Sequence, residues 1–391
     1  MKRLKASLSL FQITFLGVGT MVGAGIYVLV GKVAGLSGGL SLWAFIAAAL
    51  IVSFSAYSHG FLAKHIPSSA GAAEYVHRAF HSSYLTLAVG LGVLLTGVVS
   101  SAALVNGFYG YLSELIVLPQ WLVITGLTGI LFVTATQAVN TSVNFAVAIT
   151  FLELLGLMLV IIFSKSGNFE PELQSPSWSL NNIELIMAGA FVAFYAYVGF
   201  EDMVNLAEEV ERPERTMLPA VMLALILTTI LYIWVVWVAL HALPIKQLAQ
   251  SDAPFAVMLA HTPWMAKAIS IIGLVAILNG ALVQILMGSR MLFGLSRDGR
   301  LPSFLNKLSH KQIPINATIF VAALVWIFAL ALPLITLARL TSGIILVVFT
   351  LVNVSAVVIA LQKKQYTAAA IAVTGAVLSI LFVGGGVSGS H

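Results

Sequence analysis

The sequence predicts an all-α polytopic membrane protein of about eleven transmembrane helices, built as a 5+5 inverted repeat in which helices 1 and 6 are discontinuous. Three observations predict it. The 391 residues are 60% hydrophobic and only 8% charged, whereas a soluble domain carries about 25% charge. The apolar residues fall in long continuous runs, unlike the ~10-residue alternating segments of a membrane β-barrel, and helices are the other way to satisfy backbone polar groups in hydrocarbon. Two of these runs, five spans apart, are interrupted at mid-membrane by glycines and, in the second, by acids.

A window of ~20 apolar residues marks each span. The spans fall near 10–33, 40–63, 83–110, 119–138, 142–164, 183–207, 217–241, 266–293, 315–333, 337–360 and 367–385. The first is read as a span and not a secretory signal, because its apolar run exceeds the usual signal core and no A-x-A-type site closes it. Residues 1–391 then form a single transmembrane domain, with repeat one about 10–164, repeat two about 183–360 and an extra helix about 367–385. An odd number of spans per repeat gives the two halves opposite orientations.

Charge sets the direction. With the N-terminus in the cytoplasm, Lys32, Lys165, Lys246, Lys267 and Arg339 lie outside and the other fourteen of the nineteen Lys and Arg lie inside. That bias is the one expected of a multi-pass protein of the cytoplasmic (inner) membrane. The net charge of +5 is therefore topogenic and meets membrane lipid, and no nucleic-acid partner is implied. Enzyme classes find no footing. Cys is absent, and neither an H-E-x-x-H pair nor a G-x-x-x-x-G-K-[ST] loop occurs. No cofactor or metal site is expected.

Span 1 contains "GTMVGAGIYV", residues 19–28, with Gly19, Gly23 and Gly25 in its middle. Each glycine costs a helix interior roughly 1 kcal/mol relative to alanine. Gly19 and Gly23 alone would suit a small-xxx-small packing face. Span 6 contains "FYAYVGFEDM", residues 194–203, where Gly199 is followed by Glu201 and Asp202. A matching pair of interrupted spans is the sequence mark of a mid-membrane binding site between repeats. Unwinding frees backbone N–H and C=O groups. A half-helix N-terminus presents donors to an anion, and freed carbonyls accept from an ammonium. A zwitterion such as an α-amino acid needs both. Glu153, in "TFLELLGL" of span 5, is a further mid-membrane acid. A charge there costs at least ~2.5 kcal/mol, so it is a functional candidate.

Three stretches carry a family resemblance. "VGAGIYV" is similar to a G-[SA]-G-I-[FY] segment. "FYAYVGFEDMVNLAEEVERPERTMLPAV" resembles a signature in which an aromatic stretch, Gly and an acid lead to E-x-x-x-P-x-R-x-x-P, falling here on Tyr195, Gly199, Glu201, Glu209, Pro213, Arg215 and Pro219. "GSRMLFGLSRDGRLP", residues 288–302, resembles an R-x-x-[FY]-x-x-[SA]-R-D-G-x-x-P loop. Together they resemble bacterial amino-acid permeases of the amino acid–polyamine–organocation superfamily.

The resemblance implies the LeuT-type architecture, in which spans 1, 2, 6 and 7 rock against a scaffold. It implies a secondary transporter with an amino-acid substrate. The substrate carboxylate would meet backbone N–H groups of Gly23, Ala24 and Gly25. Its ammonium would meet carbonyls around Phe191, Phe194 and Tyr195 near Gly199, with Tyr195 as an aromatic gate and Glu201 as a gating acid. Glu153 is expected to couple transport to a proton, since a lysine appears at that position in some relatives. Sodium is the alternative coupling ion, although "GLVAILNGALVQ" of span 8 offers Asn279 and no hydroxyl. An obligate exchanger or polyamine carrier is a second possibility, and a channel or sensor on the same scaffold a third. Oligomeric state is left open. Gly25→Val is expected to leave the protein folded but empty.

Overall fold

The computed structural model describes residues 8–388 except 24, 69, 138–142, 168–178, 298 and 310–312. Every predicted span coincides with a helix, and the two interrupted spans with two helices each. Span 1 is α1 (Leu10–Val22) and α2 (Gly25–Ser37), followed by α3 (Ser41–His65), a short amphipathic α4 (Gly71–Phe80), α5 (Ser83–Ser113), α6 (Gln120–Ala135) and α7 (Val143–Phe163). Span 6 is α8 (Leu180–Tyr197) and α9 (Phe200–Val204). There follow α10 (Pro213–Ala242), two short helices α11 (Ile245–Gln250) and α12 (Pro254–Met258), then α13 (Pro263–Arg297), α14 (Ile315–Ala331), α15 (Leu334–Gln362) and α16 (Tyr366–Ser388).

Among the described residues, eight helical stretches are long and apolar enough to cross a membrane, and α1, α6 and α14 are shorter apolar helices. No strand occurs among them. The N–H of Leu8 donates to the Glu209 carbonyl and that of Glu211 to the Leu8 carbonyl, both at 2.9 Å, which ties the chain before α1 to the segment after α9.

Local chemistry sets the helix starts. Ser9 and Gln12 form a capping box on α1, and Ser82 and Ser179 cap α5 and α8 through their hydroxyls. Each satisfies N–H groups that a first turn leaves without a carbonyl. Pro213 opens α10, where a missing N–H costs nothing.

Packing divides the helices into two groups. α1, α2, α3, α8 and α10, which make up spans 1, 2, 6 and 7, pack on one another; α5, α6, α13 and α14 form a second group with α15 against α5. α7 leans on α1 and α13, and α16 covers α15 and α3. The contacts survive an exchange of halves: α1 on α7 corresponds to α8 on α15, and α1 on α10 to α8 on α3.

Candidate functional site

The two interruptions meet. In span 1, Gly23 is still helical (φ −56°, ψ −21°) and its N–H donates to the Gly19 carbonyl at 2.9 Å, while a new helix begins at Gly25. Ala24, expected in the site, lies outside the described residues. In span 6, α8 ends at Tyr197, Val198 is extended, and Gly199 takes φ 130° before α9 begins. Only glycine adopts that φ without strain. A side chain at Gly25 would run into the Ala196 backbone, and a Cβ at Gly199 would stand 2.7 Å from the Thr20 carbonyl oxygen. The absence of side chains thus lets the two chains cross at their breaks.

Hydrogen bonds lock the crossing. The Thr20 hydroxyl lies 3.0 Å from the carbonyls of both Gly17 and Gly199. The buried hydroxyl of Tyr232, on α10, lies 2.7 Å from the Met21 carbonyl and 2.8 Å from the Ala196 carbonyl. One side chain therefore serves one freed carbonyl from each interrupted helix, groups that would be costly if left bare in hydrocarbon.

Glu153 reaches the span 1 break from α7. It is 1% exposed, and a Cβ at Gly23 would stand 2.9 Å from its Oε1. Neither carboxylate oxygen has a hydrogen-bond partner among the described residues. Tyr27 of α2 donates to the Glu153 backbone carbonyl at 2.8 Å, holding the two helices together. One turn away, a side chain at Gly19 would collide with Thr150. Gly19 and Gly23 are therefore also a close-packing face, toward α7, while Gly25 serves the crossing with α8.

The expected aromatic residues separate. Tyr195 is buried and faces α5, where the Ser100 hydroxyl donates to its oxygen and it donates to the Ser100 carbonyl, both at 3.1 Å. Phe191 and Phe194 turn toward the other side of the bundle. Their ring centroids lie 5.5 and 5.9 Å from that of Phe382, and Phe194 also meets Phe349 at 6.1 Å.

A cavity of about 710 Å³ lies between α3, α4, α5, α9, α13 and α15. Glu201 and Asp202 border it just past the span 6 break, with His59, Thr96 and Gln284. Arg290 and Arg297 line its exposed end. Gly23, Gly25, Phe191, Phe194, Tyr195 and Gly199 do not line it. The Gly199 N–H donates to Glu201 Oε2 at 2.8 Å, and Gln284 Nε2 donates to Asp202 Oδ2 at 3.4 Å.

Sequence reasoning missed Tyr232, Ser100 and Gln284; the cavity is also bordered by His59. Its ring is fully buried, edge-on to Phe200 at 5.3 Å and to Phe349 at 4.8 Å. Polar side chains near the middle of apolar spans were the available signal.

Two interrupted helices crossing within a bundle of membrane-length helices, the second of them bordering a cavity, are the mark of a membrane transport protein. A family model described as amino acid permease matches residues 8–387, nearly the whole chain, and the protein belongs to that family. It is 26% identical to the branched-chain amino acid permease BcaP of Bacillus subtilis, over 93% of this chain and 82% of that protein. It is 28% identical to the methylthioribose transporter of the same organism, over 93% and 83%. The vacuolar cationic amino acid transporter 4 of Arabidopsis thaliana is 28% identical over 91% of this chain and 64% of that protein. These relationships mark a transporter of the membrane, not an enzyme, and they support amino acid transport.

Proposed function

We propose that the protein carries α-amino acids across the cytoplasmic membrane by alternating access, in symport with protons, its N-terminus lying in the cytoplasm. The observation that carries this reading is the crossing of the two interruptions at Gly25 and Ala196. The first-turn N–H groups of α2 are unpaired within the helix by construction and suit the substrate carboxylate. The carbonyls of Met21 and Ala196, which now share the Tyr232 hydroxyl, suit the ammonium. Gly23, Gly25 and Gly199 shape this backbone pocket. The carbonyl end of α8 supplies its second wall, with Tyr195 as the gate toward α5.

The halves work as an inverted repeat, a reading supported by helix contacts that persist when they are exchanged. Spans 1, 2, 6 and 7 move as one body. The positive-inside bias places the mouth of the cavity in the cytoplasm, and Glu201 on its wall links binding to movement of α9.

Glu153 moves the proton. Its carboxylate has no hydrogen-bond partner among the described residues and stands against the span 1 break, where a proton carried on it would move with the substrate pocket. Glu153→Gln should abolish uptake driven by a pH gradient while sparing exchange of internal for external substrate. Unchanged uphill uptake by that variant would sink the assignment. Counterflow in proteoliposomes tests the carrier itself, since trans-stimulation requires alternating access, and the same assay with choline replacing sodium tests the coupling ion.

A further inference from the structure

The backbone pocket accounts for the two charges every α-amino acid carries. It leaves unexplained the inner end of the cavity, where acceptors gather without a matching cation. Glu201 and Asp202 lie side by side at the start of α9 and both border the cavity. Among the described residues neither lies within ion-pair distance of a Lys or Arg; the ion pairs there join Lys32 to Asp252 and Arg78 to Glu74. The donors they receive are the backbone N–H groups of Gly199 and Glu201 and one amide at a long 3.4 Å. Two neighbouring carboxylates inside a membrane need more than that.

His59 is an independent indication. It borders the same cavity, is fully buried, and its Nδ1 lies 2.8 Å from the Ser55 carbonyl. A carbonyl can only accept, so Nδ1 carries the proton, and in the neutral ring Nε2 is an acceptor. That Nε2 has no partner. Its ring cannot swing to find one, because Phe200 and Phe349 flank it.

Glu74, Glu209, Arg290, Arg297 and Arg300 also line the cavity, and Glu74 is paired with Arg78. Glu201 and Asp202 therefore face it without a positively charged partner among the described residues, and about 710 Å³ leaves room for one on an extended side chain.

We propose that the substrates are α-amino acids with a cationic side chain, whose terminal ammonium or guanidinium is received by Glu201, Asp202 and His59 Nε2. The assignment rests on the carrier reading above, in which backbone groups at the crossing hold the α-carboxylate and α-ammonium.

Neutral analogues of matching length test it without a mutation. Purified protein in proteoliposomes is assayed for counterflow with lysine against norleucine and with arginine against citrulline, and in detergent for thermal stabilisation by each. Lysine and arginine should act at concentrations about tenfold or more below those of their neutral analogues, as expected when charge-assisted hydrogen bonds are exchanged for none in norleucine and for neutral ones in citrulline. Asp202→Asn should cut that preference about tenfold. Equal or better action of norleucine and citrulline, or an unchanged preference in Asp202→Asn, overturns the assignment while leaving the carrier reading intact. Counterflow with no amino acid at all overturns both.

Discussion

The two interruptions differ in kind. The one in span 1 is short and dry. Its helix resumes at Gly25, and it is walled by Ala196 and by the Glu153 carboxylate. The one in span 6 is open on one side. Gly199 turns the chain through a positive φ, α9 runs only from Phe200 to Val204, and its acids border the cavity. A backbone pocket must hold its geometry, and span 1 has the packing for that. A gate must move, and the five-residue helix past Gly199, anchored by the buried Phe200, Met203 and Val204, turns Glu201 and Asp202 to the cavity beside it. The comparison assigns shape to the first break and motion to the second.

The largest way to break that contrast is Gly25→Val. The expectation from sequence was a folded but empty protein. The structure corrects it, because a side chain there meets the Ala196 backbone, which cannot swing aside as a rotamer would. Overpacking of that kind costs about 1–3 kcal/mol or more. The variant should unfold at a clearly lower temperature in detergent and lose substrate stabilisation as well. Normal melting with lost binding would restore the simpler picture.

Tyr232→Phe comes next. It keeps the ring but removes the donor to Met21 and Ala196. A buried carbonyl left without its bond costs about 1–3 kcal/mol. Thermal unfolding should show the loss. Saturating substrate should recover part of it, because the ammonium supplies donors at the same carbonyls. A deficit that substrate leaves untouched would place the ammonium elsewhere.

Much of this was legible in the sequence. Hydropathy gave the spans because hydrocarbon leaves the backbone no alternative to the helix. The breaks showed as glycines at Gly23, Gly25 and Gly199, and Glu153 stood out because an acid in an apolar run is expensive. The amphipathic α4 lay between the second and third spans, and α11 and α12 between the seventh and eighth, where hydropathy gave no signal. Tyr232 was invisible for a different reason. A tyrosine in an apolar span reads as one more large side chain, and its partner Met21 lies 211 residues away. Phe191 and Phe194 were named through the family resemblance for their backbone carbonyls, which says nothing of their rings; those pack on Phe382. Periodicity says which residues share a face, not which neighbour that face will meet.

Ser100→Ala is the finest test of the contrast, because it loosens the span 6 side without touching either break. Tyr195 makes two contacts with Ser100, one through the side-chain hydroxyl and one through the carbonyl. Alanine removes the first and leaves the second, so the lost bond should cost only about 0.5–1.5 kcal/mol. If α8 and Tyr195 form the moving wall against α5, weakening that tie should change turnover more than apparent affinity. The maximal rate of counterflow should therefore shift while half-saturation stays within about twofold, a difference of less than ~0.5 kcal/mol in binding. A change confined to half-saturation would instead make Tyr195 a wall of the pocket, and motion would then have to begin at Gly199 itself.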